Sequence, residues 1–331
     1  MHTCGIDVGA HELIVVISKH GKAGKFRPFS NDPTGHKALL KALINAKVER
    51  ICLEATGVYH IDLAVVLSKS KQFEMMVLNP KAARRYAEAV MCRTKTDPVD
   101  AAMLAEYAMH MPFTPWVRPN DTRLAIRAFA RRLAALTKQR TQAKNQLHAW
   151  QATDATPAFI VEDVLLTIAQ LDAQIARLRE HALALIAENS QLNEVLELLL
   201  SVKGIAQASA IQLMGELLIL PADMTARQWV AMAGLDPRHH QSGTSVNKKS
   251  RISKVGNRYL RMALYMPALS AARYDRHVRG YYLHLIEERG LKKLQAICAV
   301  MRKLLHAIHG MLKSQAQFDN TRFYAMDPSA T

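Results

Sequence analysis

The first third of the chain alternates short apolar runs with amphipathic stretches, and this alternation restricts the fold more than any other feature. Residues 4–18 hold two runs rich in β-branched side chains around a tight turn, which predicts two strands, and a third strand is predicted near residues 25–29. Further strands and helices are then predicted in alternation, at residues 33–46, 50–57, 73–78 and 81–90. This order predicts a mixed α/β domain over roughly the first 115 residues.

Two long stretches in the middle of the chain repeat apolar residues in steps of three and four. The first extends from Ile126 to Trp150, the second extends from Val161 to Leu185, and a Pro-containing segment at residues 153–157 separates them. Such heptad spacing predicts two long helices that form an antiparallel pair. The pattern fits a coiled-coil connector between two domains, and it fits two helices of an ordinary bundle equally well.

The charge of the chain points to a polyanionic partner. The formal net charge is +16 and the pI is about 9.8. No acidic residue occurs between Asp236 and Asp275, although this window contains eight Lys and Arg residues. An ordinary solvated surface mixes both signs of charge, so the window predicts a surface that binds nucleic acid.

Several classes of protein are disfavoured by the sequence. It has no apolar run of about eighteen residues and no basic segment followed by an apolar one at its start, so neither a membrane span nor a signal peptide is predicted. Its four cysteines have no CxxC spacing, which argues against a zinc site and against a disulfide framework. We therefore expect no membrane partner and a location in the bacterial cytoplasm, associated with the nucleoid.

Two carboxylates stand at the start of a predicted helix. Asp97 and Asp100 are three residues apart, so they share one helix face. One interpretation is structural: Asp97 before Pro98 suits an N-cap, and Asp100 would complete a capping box. The other is functional, because two like charges this close are tolerated where a cation binds.

Two further acidic residues occupy strand positions that suit a ligand site. Asp7 stands inside the first predicted strand, where a carboxylate is costly unless it is paired or functional. Glu54 ends a later strand, and ligands of open α/β sheets gather at such strand ends. Together with Asp97 and Asp100, these residues supply the oxygen ligands that a phosphoryl-transfer site with two Mg²⁺ ions requires.

The four carboxylates belong to a longer set of motifs. The set comprises Gly5-Ile6-Asp7, Glu54-Ala55-Thr56-Gly57, Asn79-Pro80, Lys95-Thr96-Asp97 with Asp100-Ala101, Ala233-Gly234-Leu235 with Pro237, Ser242-Gly243 with Ser245, and Leu264-Tyr265-Met266-Pro267. The carboxylates alone resemble those of RuvC-like nucleases with a ribonuclease H fold. The full set resembles the DEDD transposases of the insertion-sequence-110 family, which are kin of the Piv invertase, and this resemblance covers nearly the whole chain.

The resemblance implies a fold of class α/β plus α in three parts. These are a RuvC-like, ribonuclease H-like catalytic domain at residues 1–118, a coiled-coil helical connector at 119–192 and a mainly helical transposase domain at 193–331. It also implies double-stranded donor and target DNA as substrates and a structured bridge RNA as a guide. The family assembles as tetramers with shared active sites, so we expect a homo-oligomer, either a dimer or a tetramer.

The resemblance also assigns roles to residues. It implies that a serine of the C-terminal domain, Ser242, attacks DNA, and that two Mg²⁺ ions are bound by Asp7, Glu54, Asp97 and Asp100. A serine hydroxyl is a weak nucleophile until a base or a metal ion lowers its pKa. A phosphoserine link would retain the energy of the phosphodiester bond, so that strands could be exchanged and resealed without ATP.

The residues around Ser242 leave its role open. Ser245 is a competing nucleophile, and the segment also fits a simple polar turn with no catalytic role. His239 and His240 in the same basic loop fit either phosphate contacts or plain loop residues, and they do not have the spacing of metal ligands.

Basic residues near the motifs are predicted to contact nucleic acid. Lys203 and Gly204 lie in a turn that is similar to a helix-hairpin-helix, a motif in which backbone amides of the hairpin bind a DNA phosphate. Ala206 replaces the second glycine of that motif, and a plain helix-loop-helix fits as well. The predicted contacts are Arg84, Arg85, Lys95, Lys203, Lys248, Lys249, Arg251, Lys254 and Arg258.

Three other functions fit parts of the sequence. A RuvC-like Holliday-junction or structure-specific endonuclease would use the same carboxylates with water as the nucleophile. The segment from Gly5 to Gly9 is similar to the first phosphate loop of sugar kinases and actin-like ATPases, but the second such loop is not found. A non-enzymatic nucleic-acid scaffold would bind without Mg²⁺ and form no covalent adduct. We expect a Mg²⁺-dependent transposase with a phosphoserine intermediate.

Overall fold

The computed structural model of the protein describes residues 1–55, 57, 59–242 and 246–325, and it describes the backbone alone for residues 239–242 and 246–249. The chain divides into two compact units, the first of which is Met1–Arg118 and the second of which begins at Pro119. The first unit combines a sheet with helices and the second is mainly helical, so the predicted fold class is confirmed.

A mixed sheet of six strands forms the centre of the first unit. Its members are β1 (His2–Val8), β2 (Glu12–Lys19), β3 (Lys22–Ala23), β4 (Arg27–Ser30), β5 (Arg50–Glu54) and β6 (Glu74–Leu78). The strand order is β3-β2-β1-β5-β6, and β4 also pairs with β2. The neighbours β1, β5 and β6 are parallel, whereas β2 runs antiparallel to β1, β3 and β4. The edge next to β2 is therefore made of two short strands, with residues 24–26 between them.

The first unit has helices on both faces of this sheet. They are α1 (Pro33–Asn45), α2 (Ile61–Leu67), α3 (Pro80–Ala89) and α4 (Asp97–His110). Successive strand residues point to opposite faces, so Ile6 and Val15 pack with Leu39 of α1, while Cys52 packs with Leu104 of α4. This alternation places α1 and α2 on one face and α4 on the other.

The second unit is built from helices and one hairpin. The elements are α5 (Asp121–Trp150), α6 (Ala158–Ala187), α7 (Ser190–Leu200), α8 (Gln207–Leu217), α9 (Ala226–Ala233), β7 (Pro237–Ser242), β8 (Val246–Ile252), α10 (Arg258–Tyr274), α11 (Arg276–Glu287), α12 (Lys293–Ser314) and α13 (Asn320–Phe323). The two long helices predicted from the heptad spacing are α5 and α6, which pack against each other. Within the described residues, no helix is both long enough and apolar enough to span a bilayer.

A buried carboxylate joins three helices of the second unit. Glu216 of α8 is 1% exposed and lies 2.8 Å from the guanidinium of Arg131 on α5. The side-chain amide of Asn257, which caps the N-terminus of α10, donates a hydrogen bond of 2.6 Å to the same carboxylate. A buried charge is stable only when it is paired and hydrogen-bonded, so Glu216 fixes the mutual position of α5, α8 and α10.

Two predictions for the second unit were wrong in detail. The segment from His239 to Ser245 was predicted as a basic loop, but its residues up to Ser242 form β7, which pairs with β8. The Arg- and Met-rich run at residues 257–265 predicts a helix of that length, but α10 continues through Pro267 to Tyr274. The apolar residues that follow this proline, including Ala268 and Ala271, are buried in the core, and this burial offsets the hydrogen bond that a proline cannot make.

Candidate active site

Asp7, the first of the four predicted carboxylates along the chain, lies on one face of the sheet of the first unit. The Thr3 hydroxyl donates a 2.8 Å hydrogen bond to the Ala105 carbonyl of α4, and a Cβ at Gly5 would overlap the α4 backbone at Ala101. Thr3, Gly5 and Asp7 are alternate residues of β1, and alternate residues of a strand point to the same face. Asp7 therefore belongs to the face covered by α4. Only glycine fits at position 5 with α4 this close.

Glu54 lies on the same face and at the neighbouring strand end. It is the last residue of β5, which is parallel to β1 with Leu53 opposite Ile6. Cys52, two residues earlier, packs toward α4, so Glu54 shares that side by the alternation of the strand. The C-terminal ends of two parallel strands therefore bring Glu54 and Asp7 near each other.

Asp97 and Asp100 are in the first turn of α4, but they do not cap it. The N-cap residue is Thr96, with φ −146° and ψ 152°, and Asp97 is already helical. The prediction of Asp97 as N-cap and of a capping box with Asp100 is therefore wrong, because Thr96 rather than Asp97 adopts the extended conformation of a cap. Neither carboxylate accepts a hydrogen bond from another described residue, which leaves both available for a ligand.

The four carboxylates influence one another through charge. Partial burial, and then the negative charges of Asp97, Asp100 and Glu54, raise the pKa of Asp7 from its usual 3.8 to about 6. Burial also raises the pKa of Asp100, an effect that the nearby Lys95 opposes and Asp97 reinforces. Like charges destabilise one another at short range, so the set as a whole favours a cation.

The four carboxylates lie near one another, but they are not arranged as a metal-binding site. Within the part of the chain that the structure describes, no three His, Cys, Asp or Glu side chains are arranged so that they could hold one metal ion. The donors themselves fit a hard divalent cation, which prefers carboxylate oxygens. Binding of such an ion would require Asp7, Glu54, Asp97 and Asp100 to move closer together.

A cavity of about 510 Å³ opens beside the carboxylates. Glu54 and Asp100 contribute to its wall, and its basic side chains are Arg84, Arg93 and Lys95. Cations next to carboxylates are suited to hold a phosphate group whose charge the carboxylates would otherwise repel. Arg84 and Lys95 are among the contacts predicted from the sequence, whereas Arg93 is not. The sequence signal for Arg93 is its place two residues before Lys95 in a polar segment.

The remaining predicted contacts are dispersed. Arg85 is exposed on α3 and does not line this cavity. Lys203 is exposed in the turn between α7 and α8, where a Cβ at Gly204 would lie 2.7 Å from the Pro267 carbonyl of α10. This turn is a helix-loop-helix whose glycine, at φ +105°, is required for packing against α10.

The predicted nucleophile belongs to the second unit. Ser242 is the last residue of β7 and its backbone pairs with Val246 of β8. Its side chain, like those of Lys248 and Lys249 in β8, is not part of the described structure, and Ser245 lies outside the described residues. Residues that follow along the chain are exposed cations, namely Arg251, Lys254 and Arg258.

Comparisons with known proteins agree with the motifs. The model of the DEDD domain of IS110 transposases, described as "Transposase", matches residues 4–151. The model described as "Transposase IS116/IS110/IS902 family" matches residues 196–283. Pilin gene-inverting proteins of Moraxella bovis and Moraxella lacunata are each 31% identical to the chain, over 278 and 282 residues, which is 83% of this chain and 83% of each relative.

Solved structures of a smaller protein also match part of the chain. RuvC of Thermus thermophilus in complex with a Holliday junction substrate aligns with a TM-score of 0.29 and 15% identity, covering 35% of this chain and 99% of RuvC. A second Thermus thermophilus RuvC structure has a TM-score of 0.28 and 14% identity over the same shares.

The mixed sheet, the carboxylates on its α4 face and the two family matches together define the class of protein: it is an enzyme of DNA recombination. The chain belongs to the IS110 family of transposases.

Proposed function

We propose that this protein is a Mg²⁺-dependent transposase that exchanges DNA strands through a covalent phosphoserine intermediate. The observation that carries the proposal is the grouping of four carboxylates on the α4 face of the sheet, at the ends of β1 and β5 and in the first turn of α4. Partial burial, and then the charges of the other three, raise the pKa of Asp7 to about 6, which agrees with this grouping. Carboxylates that destabilise one another in this way gain most from a divalent cation.

In this proposal the four carboxylates hold two Mg²⁺ ions. When bound, Mg²⁺ would polarise the scissile phosphate and stabilise the entering and leaving oxygens. Arg84, Arg93 and Lys95 at the neighbouring cavity would hold the flanking phosphates of the DNA strand. The carboxylates and the cations thus have separate tasks, the first at the reacting phosphate and the second along the backbone.

Ser242 is the proposed nucleophile. Its Oγ would form a bond to phosphorus while the bond from phosphorus to one deoxyribose oxygen breaks, and the hydroxyl proton would pass through solvent to the leaving oxygen. The number of phosphoester bonds is unchanged, so the reverse attack by a deoxyribose hydroxyl reseals a strand without ATP. The carboxylates are in the first unit and Ser242 is in the second, and we propose that a partner subunit supplies the serine.

The substrates and partners follow from the family. We propose double-stranded donor and target DNA as substrates, a structured bridge RNA as the guide, and a homo-oligomer as the active form. The net charge of +16 supports a polyanionic partner. We also propose that residues 119–192 act as a coiled-coil connector between a catalytic part at 1–118 and a transposase part at 193–331, since α5 and α6 are long, paired helices.

One experiment tests the nucleophile directly. The full-length protein is incubated with Mg²⁺, bridge RNA and a plasmid that carries the ends of its own element, and the products are resolved on a denaturing gel and by peptide mass spectrometry. We expect a nucleotide on Ser242, no adduct with Ser242→Ala, and an unchanged adduct with the matched control Ser250→Ala, which removes a hydroxyl from the same hairpin. An adduct on Ser245 would reassign the nucleophile. DNA breaks without any serine adduct would favour an endonuclease that uses water.

A further inference from the structure

A second large cavity of the first unit lies between its outer strands and α1. Its volume is about 570 Å³, within the range of small-molecule and nucleotide pockets. It opens where the outer edge of β2 is covered by two short strands, β3 and β4, instead of one. The apolar part of its wall includes Val15 and Ile17 of β2, Phe29 of β4 and Ala42 of α1.

The rim of this cavity is basic and unpaired. Lys19, Lys22, Lys25 and Arg27 line it, and none of the described residues in its lining is acidic. None of these four side chains forms an ion pair or a hydrogen bond with another described residue. Four cations gathered without a counter-charge repel one another, so the rim favours a ligand with several negative charges.

An exposed aromatic residue, which is not itself part of the cavity wall, stands between two of these cations in the sequence. Phe26 separates Lys25 from Arg27 in the sequence, and 52% of its surface is exposed. Cations interleaved with an accessible aromatic side chain are the usual components of a groove that binds single-stranded nucleic acid, in which the bases stack and the phosphates are neutralised.

The cavity and the carboxylates belong to opposite faces of the sheet. Val15 of β2 packs with Leu39 on the α1 face, whereas its neighbour Val16 packs with Ala101 on the α4 face. Asp7 belongs to the α4 face, as its position in β1 requires. A ligand in this cavity is therefore not the phosphate at the carboxylates, and the two sites can be occupied at the same time.

The composition of the wall selects the ligand. A base pair inside a duplex keeps the faces of its bases stacked and cannot place one against the apolar wall. An acidic chain without aromatic residues, such as polyglutamate, would meet the charges of the rim but offers no flat apolar group for Phe29 and the β2 side chains. An unpaired nucleotide offers both, because its base is a flat ring and its flanking phosphates are anionic.

We propose that this cavity binds an unpaired nucleotide of a nucleic-acid strand, with the base against Phe29 and the apolar wall and the flanking phosphates on Lys22, Lys25 and Arg27. This cavity would hold a nucleic-acid strand on the face of the sheet opposite the carboxylates. It rests on the proposed function only in requiring that the protein handles nucleic acid.

The test is a binding titration in EDTA, which separates binding from strand cleavage. Fluorescein-labelled oligothymidylate and oligouridylate of about 12 nucleotides, and a duplex of equal length, are titrated with the full-length protein at several salt concentrations. We expect Lys22→Ala/Lys25→Ala to bind both single strands about tenfold more weakly and to reduce the slope of log K against log salt by about 1.4, since each contact to a single strand contributes ~0.7. The matched control Lys69→Ala/Lys71→Ala removes two exposed cations from the same unit, and we expect a change below about threefold.

A variant that fills the cavity tests the apolar wall separately. Ala42→Trp adds bulk without changing charge, and we expect single-strand binding to weaken at least about fivefold, the equivalent of one base-stacking contact of ~1 kcal/mol, with an unchanged salt slope. Photocrosslinking of an oligonucleotide that contains 4-thiouridine should label peptides that include Phe26 or Phe29.

Two results would overturn the inference. One is that Lys22→Ala/Lys25→Ala and Ala42→Trp both bind single strands as tightly as the control variant Lys69→Ala/Lys71→Ala does. The other is a loss of duplex binding as large as the loss of single-strand binding in both variants, which would mean that the cavity recognises charge and not an unpaired base. Displacement of the labelled strand by polyglutamate as readily as by an unlabelled oligonucleotide would mean the same. Loss of strand cleavage does not enter this test, so a failure of the serine mechanism and a failure of this site are distinguishable.

Discussion

Replacing Gly5 with alanine tests whether the close approach of β1 and α4 sets the position of the carboxylates. A Cβ at this position would lie 2.9 Å from the Cβ of Leu104 and would overlap the Ala101 carbonyl and the Ala105 amide. Ordinary contacts between carbon atoms are about 3.5–4 Å, so α4 must retreat by about 1 Å. Overpacking of a core typically costs about 1–3 kcal/mol, and we expect Gly5→Ala to lose that much unfolding free energy.

The retreat of α4 also moves Asp97 and Asp100 relative to Asp7. A misplacement of ~1 Å at a catalytic site costs about 100-fold in rate, so we expect Mg²⁺-dependent strand cleavage to fall by that factor. Unfolding is followed in urea, and cleavage is measured on the same preparation well below the unfolding midpoint. The matched control is Gly310→Ala in α12, where an added Cβ meets nothing within 4 Å and a gain of about 0.5–1 kcal/mol is expected.

Two outcomes would contradict this reasoning. If Gly5→Ala unfolds at the wild-type urea concentration, the contact between β1 and α4 is not as close as the structure has it. If the variant is destabilised but cleaves DNA at the wild-type rate, the position of α4 does not control the carboxylates.

Three further predictions concern the carboxylates, the helical core and the source of the serine. The pKa of Asp7 is raised from its usual 3.8 to about 6, so ionisation of Asp7 lowers the stability of the metal-free folded protein as the pH rises through about 6. One pKa unit corresponds to ~1.36 kcal/mol, and the effect is reduced by solvent exposure. Asp7→Asn should therefore be ~1–2 kcal/mol more stable than wild type at about pH 7.5 in EDTA, and equal to it near pH 4. An equal pH dependence for both proteins in urea unfolding would contradict the shift. Glu216→Ala leaves the guanidinium of Arg131 without its buried partner and should cost about 3–5 kcal/mol, so an unchanged thermal midpoint would show that the ion pair contributes nothing. Mixing Asp97→Asn with Ser242→Ala should restore the DNA adduct if a partner subunit supplies the serine, whereas no adduct from the mixture would mean that each chain completes its own site.

Much of the first unit could be predicted because its signals are local. Runs rich in β-branched residues around a tight turn gave β1 and β2, and the helices predicted at residues 33–46 and 81–90 correspond to α1 and α3. The position of Glu54 at a strand end followed from the order of the elements, whereas the parallel pairing of β1 with β5, which brings Glu54 near Asp7, came from the tertiary structure. The family motifs and the two family matches then agreed on the class of enzyme.

The cap of α4 could not be predicted with the same success. Asp97 before Pro98 fits the preferred N-cap pattern, but Thr96 takes the extended conformation of the N-cap position, although its side chain makes no capping hydrogen bond. The choice between two adjacent capping residues depends on where the preceding backbone enters the helix, and packing of α4 on the sheet decides that. Arg93 was missed for a related reason, since only the folding of residues 92–95 beside α3 brings it to the cavity.

By itself, the sequence determined the order of strands and helices in the first unit, the positions of its carboxylates along the chain and the family. These depend on periodicity and on residue type, which are properties of short segments. The tertiary structure alone decided that Thr96 rather than Asp97 occupies the N-cap of α4, and that burial and the neighbouring carboxylates raise the pKa of Asp7. It also decided that four cations without a partner among the described residues line an apolar cavity on the opposite face. Each of these depends on distances between segments that are remote in sequence, and such distances are set by packing of the core and not by local preference.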